Sequence, residues 1–250
     1  MNGKCYIIGG QTERSISVYD PDEDTFTDVF TMETKRVHFG CCKYSEDEIL
    51  IVGEGNEINS ASDSCIVYNT QTSIIISIAN LNEGRKLFAL VECGGKFYAI
   101  GGANQRKGFT IMKSIEVYDK RVGQWKMNEI NLSQQRFCHD AVSHNGYVYV
   151  FGGQNHSVDL HNYVEKYDMK NGTSVTLKAR MNFKRGGHFG ICKIGTKVYL
   201  FGGAFKRTRR TGDTYTNKVE VFSLVNENFQ VLQDLPKADG FLSACILCND

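Results

Sequence analysis

Three histidines recur at one place in a repeated pattern, and they are the side chains best suited to chemistry in this 250-residue chain. His38, His139 and His188 each lie close to the start of an apolar strand, where two further repeats have Leu87 and Phe241. Imidazoles that line one opening offer metal ligation, contact with a bound partner, or plain hydrogen bonding. A metal needs donors about 2 Å from one ion, which equivalent positions on separate repeats disfavour. Partner contact and hydrogen bonding both remain open, and no metal site is expected.

Two polar segments concentrate positive charge on a chain whose formal net charge is only +1. A local basic surface suits an acidic peptide, a phosphorylated motif or an acidic filament surface. The alternative is a pair of solvated loops without a partner. We predict that these residues contact a partner together with the histidines and Phe241. They are Arg106, Lys107, Lys206, Arg207, Arg209 and Arg210.

Motifs for catalysis or cofactor binding are weak in this sequence. There is no Gly-x-Ser-x-Gly and no Walker loop, and the repeats would not assemble a Ser, His and Asp set. Cys245 and Cys248 form a lone Cys-x-x-Cys, but their odd spacing in a strand would put the two thiols on opposite faces. We therefore expect no catalytic residue and no cofactor.

The composition indicates the cellular compartment and limits the classes of partner that the protein can bind. A near-neutral charge gives no global field toward nucleic acid or an anionic membrane. No apolar run reaches the roughly 18 residues that a membrane span needs. Nine cysteines, most of them in strand-like segments, are typical of a reducing compartment. We expect a cytoplasmic protein that binds neither nucleic acid nor membrane.

A repeated glycine signature predicts the strands between which these residues lie. Short apolar strands end in Gly9-Gly10, Gly101-Gly102, Gly152-Gly153 and Gly202-Gly203, and a fifth ends in Gly53-Glu54. The interval is about fifty residues, the period of kelch-type repeats. Each signature is followed by an aromatic residue, at Tyr19, Tyr68, Tyr118, Tyr167 and Phe222.

Each repeat reads as four short antiparallel strands, here termed a to d. The last complete repeat predicts strands at residues 190–194, 197–201, 219–222 and 229–232, with tight turns between a and b. Five such blades predict an all-β propeller over residues 1–250 as a single domain. A C-terminal strand at residues 243–248 would pair with the first strand, at residues 2–6, and close the ring.

Two further repeated features predict how blades pack. Aromatic residues on strands c and d are expected to fill the wedges between blades. They are Tyr19, Phe26, Tyr118, Trp125, Tyr167 and Phe229. A Met or Leu followed four residues later by Arg recurs, and we expect these arginines to form a blade-to-blade network with strand-c carboxylates. The residues are Arg36, Arg85, Arg136 and Arg185 with Glu116, Glu165 and Glu220.

Together these motifs resemble the kelch-repeat β-propellers, most closely the kelch domain of BTB-kelch proteins. The resemblance implies that the b-c and d-a loops form a protein-binding face. It also implies the substrate receptor of a cullin-type BTB-kelch ubiquitin ligase adaptor, or an actin-binding module. One alternative is a fragment of a six-bladed propeller. Another is a kelch-like propeller enzyme of the copper oxidase or sialic-acid isomerase type.

Overall fold

The computed structural model describes residues 3–10, 13–53, 61–104, 109–155, 160–187, 189–208 and 212–240. Every element in these ranges is a β-strand, so the predicted all-β fold is confirmed. The described residues include no helix with the length and apolarity to cross a bilayer.

The strands form the five blades of a β-propeller. Blade 1 has β1 (Cys5–Ile8), β2 (Ser15–Asp20) and β3 (Thr25–Thr31), and blade 2 has β4 (Gly40–Ser45), β5 (Glu48–Val52), β6 (Cys65–Asn69) and β7 (Ile74–Ile78). Blade 3 has β8 (Ala89–Cys93) and β9 (Lys96–Ile100), then a small hairpin of β10 (Ala103–Asn104) and β11 (Thr110–Ile111), then β12 (Ile115–Asp119) and β13 (Gln124–Met127). Blade 4 has β14 (Asp140–His144), β15 (Tyr147–Phe151), β16 (Tyr163–Asp168) and β17 (Thr173–Arg180). Blade 5 has β18 (Gly190–Ile194), β19 (Lys197–Phe201), a hairpin of β20 (Ala204–Thr208) and β21 (Gly212–Tyr215), then β22 (Val219–Ser223) and β23 (Asn228–Val231).

Each blade is an antiparallel meander, as the repeat predicts. Blades 2 to 5 are four-stranded sheets, and the described part of blade 1 is a three-stranded sheet. The predicted closing strand at residues 243–248 lies outside the described residues. Tight turns join strands a and b, and Asn145-Gly146 takes φ of 50° and 80°, which an Asn-Gly pair tolerates at little cost.

The apolar core lies between neighbouring blades. Leu50 of β5 and Phe97 of β9 belong to one cluster that joins blades 2 and 3. Equivalent clusters join blades 1 and 2, blades 3 and 4, and blades 4 and 5. Because strand side chains alternate between the two faces of a sheet, the inner strands of blades 2 to 4 pack on both neighbouring blades at once. A single blade could not bury its faces, so the repeats stabilise one another.

The twin glycines are required by close packing at the end of each b strand. Gly101 has φ of 57°, and a Cβ there would lie 2.8 Å from Cε1 of His139 on the next connection. At Gly53 a Cβ would lie 2.8 Å from Cε1 of Phe88. A side chain at either place would collide with the following blade, so glycine is needed for both its conformation and its small size.

The predicted arginine network is confirmed in three blades. The side chain of Arg85 is fully buried, and its Nη2 lies 2.7 Å from the Glu116 carboxylate. Arg185 pairs with Glu220 at 3.1 Å. Arg136 pairs with Glu165 in the same way. Arg36 instead donates to the Gly53 carbonyl at 2.6 Å and to Ser64 Oγ at 3.0 Å, because Ile66 stands at the strand-c position that holds glutamate elsewhere.

The aromatic wedge prediction is correct for Tyr118, Trp125 and Tyr167 and wrong for Phe26. Tyr167 is fully buried, and Tyr118 and Trp125 are 3% and 4% exposed. Phe26 is 68% exposed, and its ring contacts Tyr19 at a centroid distance of 4.7 Å. Residues 25–28 on β3 are all exposed. The pattern of residue types alone therefore did not predict burial at this strand.

Candidate functional site

The two ends of the propeller differ in how the chain connects its strands. The a-b and c-d turns lie together at one end, where Thr70 N donates to Asp47 O at 2.8 Å and Leu224 N donates to Thr196 O at 2.9 Å. The b-c and d-a connections therefore lie together at the other end. We call these ends the turn face and the loop face.

Backbone hydrogen bonds hold the loop face in place. Lys86 and Ala103 exchange two bonds of 3.0 and 2.8 Å, so the connection from blade 2 pairs with the b-c hairpin of blade 3. Phe137 and Gln154 repeat this exchange one blade later, at 3.1 and 3.0 Å. The loop face is thus a preformed surface rather than a set of independent loops.

At the centre of the loop face, three successive d-a connections each hold one residue in the left-handed conformation. His38, Leu87 and Cys138 have φ of 57°, 55° and 55°. Leu87 N donates to His38 O at 3.0 Å, and Cys138 N donates to Leu87 O at 2.8 Å. Positive φ is uncommon for such residues, and its repetition at equivalent places indicates that blade packing imposes it.

A cavity of about 190 Å³, which we call the mouth cavity, opens beside these three residues. It brings together two of the predicted residues, His38 and His139, and adds the carboxylate of Asp140. The remaining lining is mostly apolar. The residues that line it are His38, Phe39, Leu87, Phe88, Cys138, His139, Asp140 and Phe189.

His139 does not occupy the same place as His38, so their predicted equivalence is wrong by one residue. Strand register aligns Cys138 with His38 and aligns His139 with Phe39 and Phe88. Its imidazole packs on Gly101 and is 5% exposed, and Nε2 donates to the Ile100 carbonyl at 2.9 Å. Burial, reinforced by the charge of Arg136, lowers the pKa of His139 to about 3. Hydrogen bonding and packing therefore account for His139, and its contact with a partner stays a prediction.

His38 keeps its predicted place at the mouth. The pKa of its imidazole is lowered, first by burial and then by the nearby charge of Lys86. At neutral pH it therefore presents a neutral ring to the mouth cavity. His188 and Phe241, predicted at equivalent places, lie outside the described residues.

Asp140 is a mouth residue that the sequence reasoning missed. It stands at the first position of β14, where the other inner strands have Gly40, Ala89 and Gly190. The side chain is partly buried and accepts a 2.8 Å hydrogen bond from Ala141 N. Burial raises its pKa to about 6. The sequence does contain a signal for this residue, since Asp140 is a carboxylate at a repeat position that otherwise holds a small residue.

A second concavity, which we call the side groove, lies on the loop face between blades 2 and 3. Its volume is about 610 Å³. One wall is the d-a connection with Glu83, whose side chain is 48% exposed and accepts a 3.0 Å hydrogen bond from Ser114 Oγ. The opposite wall is the β10–β11 hairpin, with Thr110 and Ile111. Lys113 and Met127 complete a lining of mixed charge and apolar surface.

The predicted basic residues belong to the connections of the loop face. Lys206 and Arg207 lie on β20, and only their backbone is described. Arg106, Lys107, Arg209 and Arg210 lie outside the described residues. Their role as partner contacts therefore stays a prediction. Both segments were predicted as loops, and the structure shows that each contains a pair of short antiparallel strands.

Among the residues that the structure describes, no group of three or more His, Cys, Asp or Glu side chains is arranged to hold a metal ion. The described part of the loop face offers a hydrogen-bonded backbone, concavities that include the mouth cavity and the side groove, and both neutral and charged side chains.

Comparisons with known proteins agree with this architecture. The Kelch motif family matches residues 84–127 and 135–178. Kelch-like protein 40a of Danio rerio is 30% identical over 117 residues, which cover 45% of this chain and 19% of that protein. Kelch-like protein 24 of Rattus norvegicus is 26% identical over 247 residues, which cover 80% and 39%. Kelch repeat and BTB domain-containing protein 2 of Cowpox virus is 25% identical over 169 residues, which cover 65% and 29%.

The chain therefore spans between 19% and 39% of the length of these curated relatives. A solved structure titled "Structure of YjhT" is similar with a TM-score of 0.68 and 15% identity, over 82% of this chain and 67% of that one. That likeness supports the fold alone. The chain is a five-bladed β-propeller with Kelch motifs at residues 84–127 and 135–178, and its resemblance to BTB-kelch proteins supports a protein-interaction module.

Proposed function

We propose that this propeller binds a protein or acidic peptide on its loop face, as the substrate receptor of a cullin-type BTB-kelch ubiquitin ligase adaptor. The observation that carries the proposal is that the loop face holds the longer connections, two of which form hairpins, whereas the turn face has tight turns. The loop face has the mouth cavity and the side groove on a backbone already fixed by hydrogen bonds. Variable connections on a rigid scaffold are the usual place for recognition.

The side groove suits a short segment of polypeptide. Its walls offer the carboxylate of Glu83, the ammonium of Lys113 and the apolar surface of Met127 at close range. A groove of about 610 Å³ has the size of a pocket for several side chains. The basic segments at residues 106–107 and 206–210 give the same face a preference for acidic partners.

The receptor role rests on the similarity to kelch-like proteins, and actin is the other partner that the resemblance suggests. Recruitment of a ligase would require BTB and BACK segments, and these 250 residues supply the binding propeller. The nine cysteines, most of them in strand-like segments, support a cytoplasmic site of action.

The test is an affinity capture with immobilised propeller. One variant replaces Lys206, Arg207, Arg209 and Arg210 by Ala on the loop face. A matched control replaces four exposed lysines of the turn face by Ala and so removes the same charge. These are Lys43, Lys96, Lys170 and Lys197.

Quantitative mass spectrometry of the captured proteins gives the result. We expect the loop-face variant to lose the specific partners at least about tenfold and the turn-face variant to keep them. Equal capture by wild type and loop-face variant would contradict the proposed binding face. If the captured partner is actin and its ubiquitination does not depend on the full-length protein, the receptor role is wrong while the binding face stands.

A further inference from the structure

One outer edge of the propeller is free of charge over an unusual length. Residues 64–82 contain no Asp, Glu, Lys, Arg or His, and they include all of β6 and β7. β7 is the outermost strand of blade 2, and in the described part of the chain it pairs only with β6. Its other edge therefore presents backbone donors and acceptors to solvent.

The side chains of this edge strand are apolar as well as exposed. Ile74 is 56% exposed and Ile76 is 50% exposed. Ile75 packs against the core between blades 1 and 2, and Ile78 packs against the core between blades 2 and 3. The strand is thus anchored on both sides while its edge and two isoleucines remain uncovered.

The other outer strands of the propeller carry the charges that normally prevent edge pairing. Asp28 lies within β3 and Lys126 lies within β13. Lys178 and Arg180 lie within β17. β23 follows directly after Glu227. Only β7, among the five described outer strands, has no such charge within it or beside it.

We propose that β7 pairs antiparallel with β7 of a second copy of this chain, forming a two-fold symmetric dimer. A second copy is the occupant that the charges favour, because a two-fold contact places a segment opposite itself. A contact between two copies of β3 would bring two acidic strands together, and a contact between two copies of β17 would bring two basic strands together. β7 faces its copy without like-charge repulsion.

The register follows from the alternation of side chains. With the two-fold axis at Ile76, Ile76 lies opposite Ile76 of the partner subunit, and Ile74 lies opposite Ile78 of the partner subunit. Three β-branched pairs then share one face of a continuous sheet of eight strands. The contact consumes both free edges, so assembly stops at two chains.

This dimer leaves the loop face open. β7 forms part of the outer rim of the propeller, whereas the mouth cavity and the side groove open at the end of the strands. Because the paired strands run in opposite directions, the two loop faces open at opposite ends of the dimer, and each remains free to bind a partner.

Sedimentation equilibrium of the purified chain tests the proposal over about 1 μM to about 1 mM, the range suited to a small interface. We expect the weight-average mass to rise from 28.1 kDa toward twice that value. Ile76→Lys should weaken the dimer at least about tenfold by placing two like charges together on the axis. Val175→Lys is the matched control, because Val175 is 55% exposed on the outer strand of blade 4.

A wild-type chain that stays at 28.1 kDa throughout would overturn the proposal, as would assembly that continues beyond twice that mass. Equal weakening by Val175→Lys would place the contact elsewhere and would also overturn it. If Ile76→Lys lowers the melting temperature, Ile74→Lys replaces it. As an independent readout, Ile76→Cys should give a disulfide crosslink between the two introduced thiols under a mild oxidant, mapped by mass spectrometry. The absence of this crosslink from a sample that sediments as a dimer would refute the register.

Discussion

At the scale of single residues, His139 and Asp140 are neighbours whose uncharged forms are favoured by burial, so their pKa values shift in opposite directions. His139 replaces the phenylalanine that other blades place against the glycine at the end of the preceding b strand. Asp140 replaces a glycine or alanine at the start of an inner strand. Each substitution brings a titratable group into a site that suits an uncharged one, so each makes stability depend on pH.

Replacement of His139 by Phe should remove a loss of stability in acid. The imidazole is protonated below about pH 6.5 in the unfolded chain but only near pH 3 in the folded one. The unfolded state therefore binds the extra proton as the pH falls through this window, and the native state is destabilised. At pH 5 this amounts to about 2 kcal/mol relative to pH 7.5. Urea unfolding of wild type and His139→Phe at both pH values measures the difference.

The Phe variant should lose less free energy of unfolding between pH 7.5 and pH 5 than wild type does. His144→Phe is the control, because His144 lies on the turn-face end of the same strand. Identical pH profiles for wild type and His139→Phe would show that this imidazole is not the group responsible.

Replacement of Asp140 by Ala should have the opposite pH dependence. The carboxyl releases its proton near its usual pKa of 3.8 when unfolded and only at about 6 when folded. Stability is therefore lost as the pH rises through this window, and Asp140→Ala should be more stable than wild type above pH 6 by about 1 to 2 kcal/mol, with partial exposure taken into account. The gain should vanish below pH 4. Thermal unfolding at pH 4 and pH 7.5 checks this, and a gain that is equal at both would contradict it.

The same two residues show where sequence reasoning failed. The first small residue of the inner strand is Gly40 in blade 2 but Ala141 in blade 4, because Asp140 occupies the place of a glycine or alanine, and counting back from the small residue puts His139 in the place of His38. The left-handed conformation of His38 and Leu87 marks the true register, and backbone torsions are not visible in residue types. The twin glycines, in contrast, were predictable because their cause is local and steric.

At the scale of elements, buried ion pairs fasten three of the d-a connections to the blade that follows them. Arg85 Nη1 donates to the carbonyls of Gly101 and Ser114 at 3.0 and 3.1 Å, while Nη2 meets Glu116 at 2.7 Å. Glu116 also accepts from the backbone N of Asn82 at 2.7 Å. The Glu116 carboxylate thus accepts hydrogen bonds from both Asn82 and Arg85, which lie on the same d-a connection.

Glu116→Gln should therefore destabilise the propeller by about 3 kcal/mol, because it leaves the Arg85 guanidinium buried without a counter-charge. Guanidinium chloride unfolding gives the free energy directly. Glu46→Gln is the control, since its pair with Lys43 is on the surface and the Glu46 side chain is 86% exposed. A loss no larger for Glu116→Gln than for Glu46→Gln would contradict the structural role of the buried pair.

The four strands of blade 5 were predictable almost to the residue, as the match of residues 190–194 and 197–201 with β18 and β19 shows. Their alternation and their turns are encoded locally. The hairpins β10–β11 and β20–β21 were not predicted. Their pairing depends on neighbouring connections, such as the bonds between Lys86 and Ala103, which a repeat pattern does not contain.

At the scale of the whole molecule, a repeated core makes the propeller a rigid support for variable connections. Apolar clusters lie between successive blades from blade 1 to blade 5, so the residues of the loop face are positioned by the whole structure rather than by their own loops. We therefore propose that recognition takes place on this one face.

Hydrogen–deuterium exchange of the chain with and without its captured partner tests that claim most directly. We predict slower exchange in the presence of the partner at residues 79–88 and 110–114, which surround the side groove, and around the mouth at residues 137–140. Exchange at the turn face, at residues 94–95 and 145–146, should be unchanged. Protection confined to the turn face, with the loop face unaltered, would contradict the account.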